Sequence, residues 1–290
     1  MTGRDAGGDS GAATQADPHR VRAAVASGGA GRAADDFDVP PYTPAEIRVH
    51  VTGALLNGLC WLAGLAWLAA AWGDRRPSWL GVAVAVLAGI FAADLVSGLL
   101  HWAFDTWFDP GIGFVRRMVL QVREHHIYPR RIFSIRFTQD AGTLSWIALA
   151  VLAPPLVWAL AAGSAPAFYA LAAAAVFDPL LVFMLEFHKC GHRPRNPAWV
   201  KLLQRTGLVL SVRHHVRHHA GNHDVNYCIV NGWADRTLGR LGLFRGLEWA
   251  VRRATGARPQ RDDHEWFRRY GRPVVGRGGL VPTGEREPAP

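Results

Sequence analysis

Residues 211–228, SVRHHVRHHAGNHDVNYC, place five histidines within ten positions: His214, His215, His218, His219 and His223. Five more stand at His101, at the pair His125–His126, and at His188 and His192, while His19, His50 and His264 fall in or near the flanks. Neutral imidazole is the commonest metal-ligating side chain, so the chemistry these residues suggest is metal binding. Taken singly, each group has a plainer reading. A His-His pair is often incidental, HxxxH arises by chance, and HxxHH could be a pH-sensitive or metal-scavenging surface patch. The case for a shared site rests on what brings the groups together.

Spacing gives the first indication. His188 and His192 are four apart and share one face of a helix. If 212–219 is helical, at roughly 100° per residue, His215 sits at 0°, His219 at about +40°, His218 at about −60° and His214 at about −100°. Arg213 and Arg217 then fall near ±160°, on the opposite face. An imidazole face is thus separated from a guanidinium face. Asp94, His101 and Asp105 are spaced by seven and four, within about 20° of a common line. A ligating histidine commonly gives its other ring N–H to a carboxylate, so Asp94 and Asp105 are candidates for orienting His101 or for alternative ligands. Helix capping for Asp105 and helix–helix hydrogen bonding for Asp94 are the competing readings.

The elements that carry these residues are apolar and long. Residues 51–72, 79–104, 144–163 and 166–187 are four runs of roughly 20 residues, broken only by Asp94, Asp178 and Glu186. Each can cross a hydrocarbon core of about 30 Å as a helix; four buried helices of a soluble protein is the weaker alternative. The connections after the first and third runs are tiny, which puts both hairpin turns on one side. Of 32 Lys and Arg, only Arg75 and Arg76 lie there. The positive-inside rule then assigns both termini and every histidine group to the cytosolic side. Expected domains are a disordered cytosolic tail over 1–45, a membrane-embedded domain over 46–255, and an irregular basic tail over 256–290. Within 233–255, Leu, Phe and Trp mix with Arg, as in an interfacial helix or an ordinary amphipathic one.

Charge and cysteine content narrow the classes. The formal charge of +9 fits an anionic partner, but topology and lipid headgroups account for it, and no nucleic-acid-binding module accompanies it. Cys60, Cys190 and Cys228 form no CxxC pair, so neither a disulfide framework nor a thiolate zinc site is supported. No apolar segment ending in a cleavage signal opens the chain. The abundance of Arg, Ala and Gly hints at a bacterial source and its cytoplasmic membrane.

The expected fold is an all-α integral membrane protein. Four transmembrane helices carry a cytosolic, histidine-rich helical cap that holds a di-metal site. Structural zinc takes four ligands, often thiolates, and haem takes one or two axial histidines; both leave most of the cluster unexplained. Copper and iron accept imidazole. The Glu-x-x-His of soluble di-iron bundles occurs nowhere in the chain. About eight imidazoles on a four-span scaffold best suit two irons with positions open to oxygen.

DLVSGLLHWAFDT (94–106), EHHIYP (124–129), HKCGH (188–192), LQRTGLVLSVRHHVRHH (203–219) and HDVNYCIVNGW (223–233) resemble the blocks of the plasmanylethanolamine desaturase family. It is also called the lipid desaturase domain family, and it includes a plant phosphatidylglycerol trans-acyl desaturase. Order and spacing agree over roughly 50–245. The resemblance implies an oxygen-dependent di-iron oxidoreductase. Its expected iron ligands, which are also the catalytic residues, are His101, His125, His126, His188, His192, His215, His218 and His219. His214 and His223 are expected behind them or as alternatives. Cys190 stands where the family leads one to expect a bulky aromatic, and the ligand spacing is unaffected.

The implied substrate is a membrane phospholipid. The best-known family reaction turns the alkyl ether of plasmanylethanolamine into a plasmalogen vinyl ether. An acyl-phospholipid desaturase or hydroxylase on the same scaffold is the alternative, and a non-catalytic metal or haem protein stands further off. Removing hydrogen from unactivated C–H bonds requires a cofactor. It also requires two electrons from a cytosolic donor of ferredoxin or cytochrome b5 type. Arg116, Arg117, Arg130 and Arg131 could dock that donor or lipid phosphate, unless they form an ordinary solvated patch. No nucleic-acid partner is expected.

Overall fold

Thr43 starts the first long helix with a reciprocal cap: its hydroxyl accepts from the Glu46 N–H, and the Glu46 carboxylate accepts from the Thr43 N–H, closing two otherwise orphaned donors. The computed structural model that shows this describes residues 42–109, 116–270, 274–276 and 279–281. Helix α1 (Pro44–Arg75) ends on Arg76 in the left-handed conformation, and Ser78 caps α2 (Trp79–Thr106). The helices α3 (Arg116–Ile127) and, after a 3-10 turn over Pro129–Ser134, α4 (Phe137–Ala162) follow. Ser164 caps α5 (Ala165–Val182), and α6 (Met184–His192), α7 (Ala198–Thr206) and α8 (Val212–His219) come next. A π-turn (Asp235–Gly239), α9 (Leu243–Thr255) and α10 (Asp263–Tyr270) lead to two three-residue strands, β1 (Val274–Gly276) and β2 (Gly279–Val281), paired antiparallel. Among the described residues those six are the only strand.

Four helices are long and apolar enough to cross a membrane: Pro44–Arg75, Trp79–Thr106, Ala141–Ala162 and Ala165–Val182. They contain most of the four expected runs, and they leave large apolar side chains bare, Leu59, Val84, Val157 and Leu160 among them. In water that surface would be a liability, whereas against lipid it costs nothing. α1 packs along α4, α4 along α5, and α5 along α2. Leu152, Leu156, Leu171 and Ala174 close the interior with Trp61 and Trp67. Close approach at one end needs Gly53, where a Cβ would lie 2.5 Å from the Trp146 indole.

The two short turns meet at the other end. The Ser78 N–H donates to the Tyr169 hydroxyl at 2.9 Å, and the Arg75 guanidinium packs on Gly163. Both hairpins therefore turn on one side of the bundle, and the histidine-bearing segments gather on the other.

Two boundaries differ from the sequence reading. The fourth span stops at Val182, not 187: Phe183 leaves the helical conformation at φ −92° and ψ 6°, and α6 begins at Met184. Glu186 and His188 therefore belong to the cap. The tail expected to be irregular from 256 contains α10. The expected disordered tail, 1–45, lies outside the described residues except for its last four. In the 233–255 stretch, α9 lays Phe244, Leu247 and Val251 onto Trp102 and Tyr227 and leaves Trp249 exposed.

A candidate dinuclear metal centre

Four helices, α2, α3, α6 and α8, deliver the histidines of the two donor groups, and helical geometry decides where each one goes. Consecutive residues on a helix diverge by about 100°, so the α3 pair splits. His125 joins one group, with His188 and His192 of α6 and His215 and His219 of α8; His126 joins another, with His101 and Asp105 of α2 and His218 of α8. Within each group the candidate ligand atoms lie within 4.8 Å of one another. The angular order read from the sequence of α8 reappears: the neighbours His215 and His219 share the first group, His218 serves the second, and Arg213 and Arg217 point to solvent. The two groups adjoin, with the His101 ring 5.4 Å from His188 and 6.1 Å from His125.

The first group converges on one atom. The Nε2 of His215 is 2.8 Å from that of His188, 2.7 Å from that of His192 and 3.0 Å from that of His219. A neutral ring nitrogen carries either one proton or one lone pair, so it can make one good hydrogen bond there, not three. A cation among these atoms turns the remaining repulsive contacts into attractive ones. His125 presents to the same space an Nε2 that is buried and has no hydrogen-bond partner.

The second group has the same signature. His101 Nε2 and both Asp105 oxygens are buried without hydrogen-bond partners. The carboxylate faces three imidazoles: His101 Nε2 at 3.5 Å, His126 Nε2 at 3.6 Å and His218 Nε2 at 3.4 Å. Asp105 is thus placed inside the ring of donor atoms, not behind a histidine. The residues fit a pair of metal ions with nitrogen and oxygen donors.

Anchoring bonds fix which nitrogen faces inward. The Nδ1–H groups of His101 and His218 donate to the backbone carbonyls of Tyr227 (2.9 Å) and Val225 (2.8 Å), and that of His125 to Gln121 (3.3 Å). A carbonyl only accepts, so Nδ1 carries the proton and Nε2 keeps its lone pair. Burial also holds His125, His126, His188, His215, His218 and His219 well below the usual imidazole range and His192 at about 3, with neighbouring imidazoles adding to the effect. They are neutral, the form that binds metal. Burial likewise lifts the Glu124 carboxyl to about 7 against the pull of Arg131.

The sign of the pH effect follows. An imidazole neutral in the fold and free in the unfolded chain takes up a proton on unfolding below about pH 6.5. The metal-free protein should therefore lose stability as pH falls from about 6.5 toward 3. Thermal unfolding across that window checks this, and bound metal should move the onset of the loss to lower pH.

Four of the remaining candidates occupy other places. His214 gives its Nε2 to Asp235 at 2.9 Å and stands outside both groups. His223 stacks on His126, with ring centroids 3.9 Å apart and planes 8° apart. Asp94 touches none of the histidines: its oxygens accept from the N–H groups of Asn231 (2.8 Å), Gly232 (2.9 Å) and Ala234 (2.9 Å). It holds the loop whose Tyr227 carbonyl anchors His101. Cys190 is half-buried on α6, and its carbonyl accepts from Asn196. Of the four arginines offered for docking, Arg117 lies over the Tyr42 ring and Arg131 pairs with Glu124 at 3.3 Å.

The residue that sequence reasoning missed is Asp263. Its carboxylate meets His126 Nδ1 at 2.9 Å and His223 Nδ1 at 3.2 Å. The one signal was a pair of aspartates opening a short helix in an otherwise basic stretch.

An apolar cavity reaches the centre. His101, His125 and His188 are part of its wall, and Ile132, Leu144 and Met184 are among the side chains that line the rest.

Residues 90–262 match the lipid desaturase domain family. The chain is 31% identical to the plasmanylethanolamine desaturase of Myxococcus xanthus over 77% of its own length and 78% of that protein's. It is also 31% identical to plasmanylethanolamine desaturase 1 of Mus musculus, over 64% of this chain and 70% of that one. With the chloroplastic fatty acid desaturase 4-like 1 of Arabidopsis thaliana it shares 32% identity over 62% of this chain and 60% of that one. No solved structure matches.

Proposed function

The chain belongs to the lipid desaturase domain family, and on that premise we propose that it is an oxygen-dependent di-iron desaturase that converts the alkyl ether of plasmanylethanolamine into the vinyl ether of a plasmalogen. One observation carries the reading: two adjoining donor sets, built from eight histidines and Asp105, border an apolar cavity through His101, His125 and His188. The first set, His125, His188, His192, His215 and His219, would hold one iron, and His101, Asp105, His126 and His218 the other. Iron so bound supplies the oxidising power that no side chain has.

The protein's own residues do the rest. Ile132, Leu144 and Met184 bury an alkyl chain and exclude water from it. His101, His125 and His188, in the cavity wall, face the carbons that react. The anchored Nδ1–H groups keep His101, His125 and His218 in one tautomer and orientation. The reaction balances as R–CH2–CH2–OR′ + O2 + 2 e⁻ + 2 H⁺ → R–CH=CH–OR′ + 2 H2O. The electrons come from a soluble donor on the histidine side of the membrane. The positive-inside rule supports placing that side in the cytosol, since the opposite turns carry only Arg75 and Arg76.

The plant relative's name favours a second reading, desaturation of an ester-linked acyl chain. Lipid mass spectrometry of cells expressing the protein separates the two. New acid-labile vinyl ethers that depend on supplied plasmanyl lipid are the expected result; new double bonds in ester-linked chains alone would overturn the ether assignment.

A further inference from the structure

We propose that the segment Gln260–Trp266, at and beyond the end of the matched family domain, is a strap that completes the second metal site, with Asp263 as its positioning residue. This deepens the two-iron reading and rests on it. Asp263 is buried, and each of its oxygens has a defined task. Oδ1 accepts from Arg123 at 2.9 Å. Oδ2 accepts the Nδ1–H of His126 at 2.9 Å, which leaves the His126 Nε2 lone pair directed at Asp105 and His218. His126 has no backbone carbonyl behind it among its hydrogen bonds, unlike the other two histidines of its group, so the strap supplies the anchor that the cap does not.

The strap is tied at several points. The Gln260 N–H donates to the Thr106 carbonyl at 2.9 Å, and the Gln260 carbonyl accepts from Arg123. The Arg123 guanidinium is almost fully buried and lies over Trp266, whose ring packs with Phe104, Val119 and Leu120. A buried cation needs a paired anion, and Asp263 is that anion. His223 shares Oδ2 at 3.2 Å, and it is held there by a left-handed backbone, φ 51°, which a non-glycine residue adopts only under constraint. Carboxylates that orient a ligating imidazole in this way typically raise metal affinity 10–100-fold.

Anaerobic Fe(II) titration of the detergent-purified full chain, read by iron content and Mössbauer spectra, tests the proposal. The wild type should bind two equivalents. Asp263→Asn should keep the first and weaken the second about 10–100-fold, with one quadrupole doublet changed and the other preserved, and Asp263→Glu should restore both. If Asp263→Asn does not fold, Asp263→Ser is read in the same way. Two tight irons with unchanged spectra in the folded variant, or equal weakening of both, overturn the role of Asp263. Fewer than two irons in the wild type overturns the two-iron reading itself.

Discussion

His215→Ala should abolish lipid product while leaving the protein in the membrane. Its Nε2 is the atom on which His188, His192 and His219 converge, so its removal opens the first donor set at the centre. Losing a partner that merely orients a ligand costs about 10–100-fold; losing the ligand at the hub should cost at least the upper end of that range. Iron content should fall by about half, because His101, Asp105, His126 and His218 remain. Membrane insertion depends on helices α1, α2, α4 and α5, and His215 lies on α8, outside all four. Product formation and iron per chain, measured on membranes matched for protein, decide the matter. An active His215→Ala protein would remove His215 from the ligands.

Asp94→Ala should have the largest effect on stability of any substitution outside the donor sets. Three buried N–H groups, those of Asn231, Gly232 and Ala234, would lose their acceptor together. A buried donor left unpaired costs about 1–3 kcal/mol, so the total should be at least about 3 kcal/mol. The loss should reach the metal as well. The same loop includes Tyr227, whose carbonyl anchors His101, and Ile229, whose N–H donates to Ser97. Asp94→Asn retains acceptor capacity and should be milder. Thermal unfolding in detergent, with iron content followed in parallel, should rank the proteins wild type, Asp94→Asn, Asp94→Ala.

How far the sequence discloses this arrangement depends on the range of the interaction. Apolar runs reveal the four long helices because a span is a local property of about 20 residues. The partition of α8 is equally local: a wheel of eight residues separates His215 and His219 from His218, and all three from Arg213 and Arg217. The split of His125 and His126 between two donor sets follows from the same geometry once α3 is known to lie between them. Asp105 was legible as a neighbour of His101 but not as a member of the ring, because that depends on how α2 meets α3 and α8. Asp94 was misplaced for the same reason, since its partners are 137–140 residues away. Asp263 has no periodicity to announce it. It becomes visible only when a segment remote in sequence folds back onto Arg123 and Trp266.

The anchoring of the rings is uneven between the two halves of the centre. His101, His126 and His218 each have their outer nitrogen pinned, to two carbonyls and a carboxylate. The outer nitrogens of His215 and His219 are buried and bonded to nothing. One half is therefore pinned at every ring, whereas the other is pinned at His125 and loose at His215 and His219. Whatever bond-length changes a redox cycle imposes should be absorbed by small tilts of His215 and His219, while the second half keeps its dimensions.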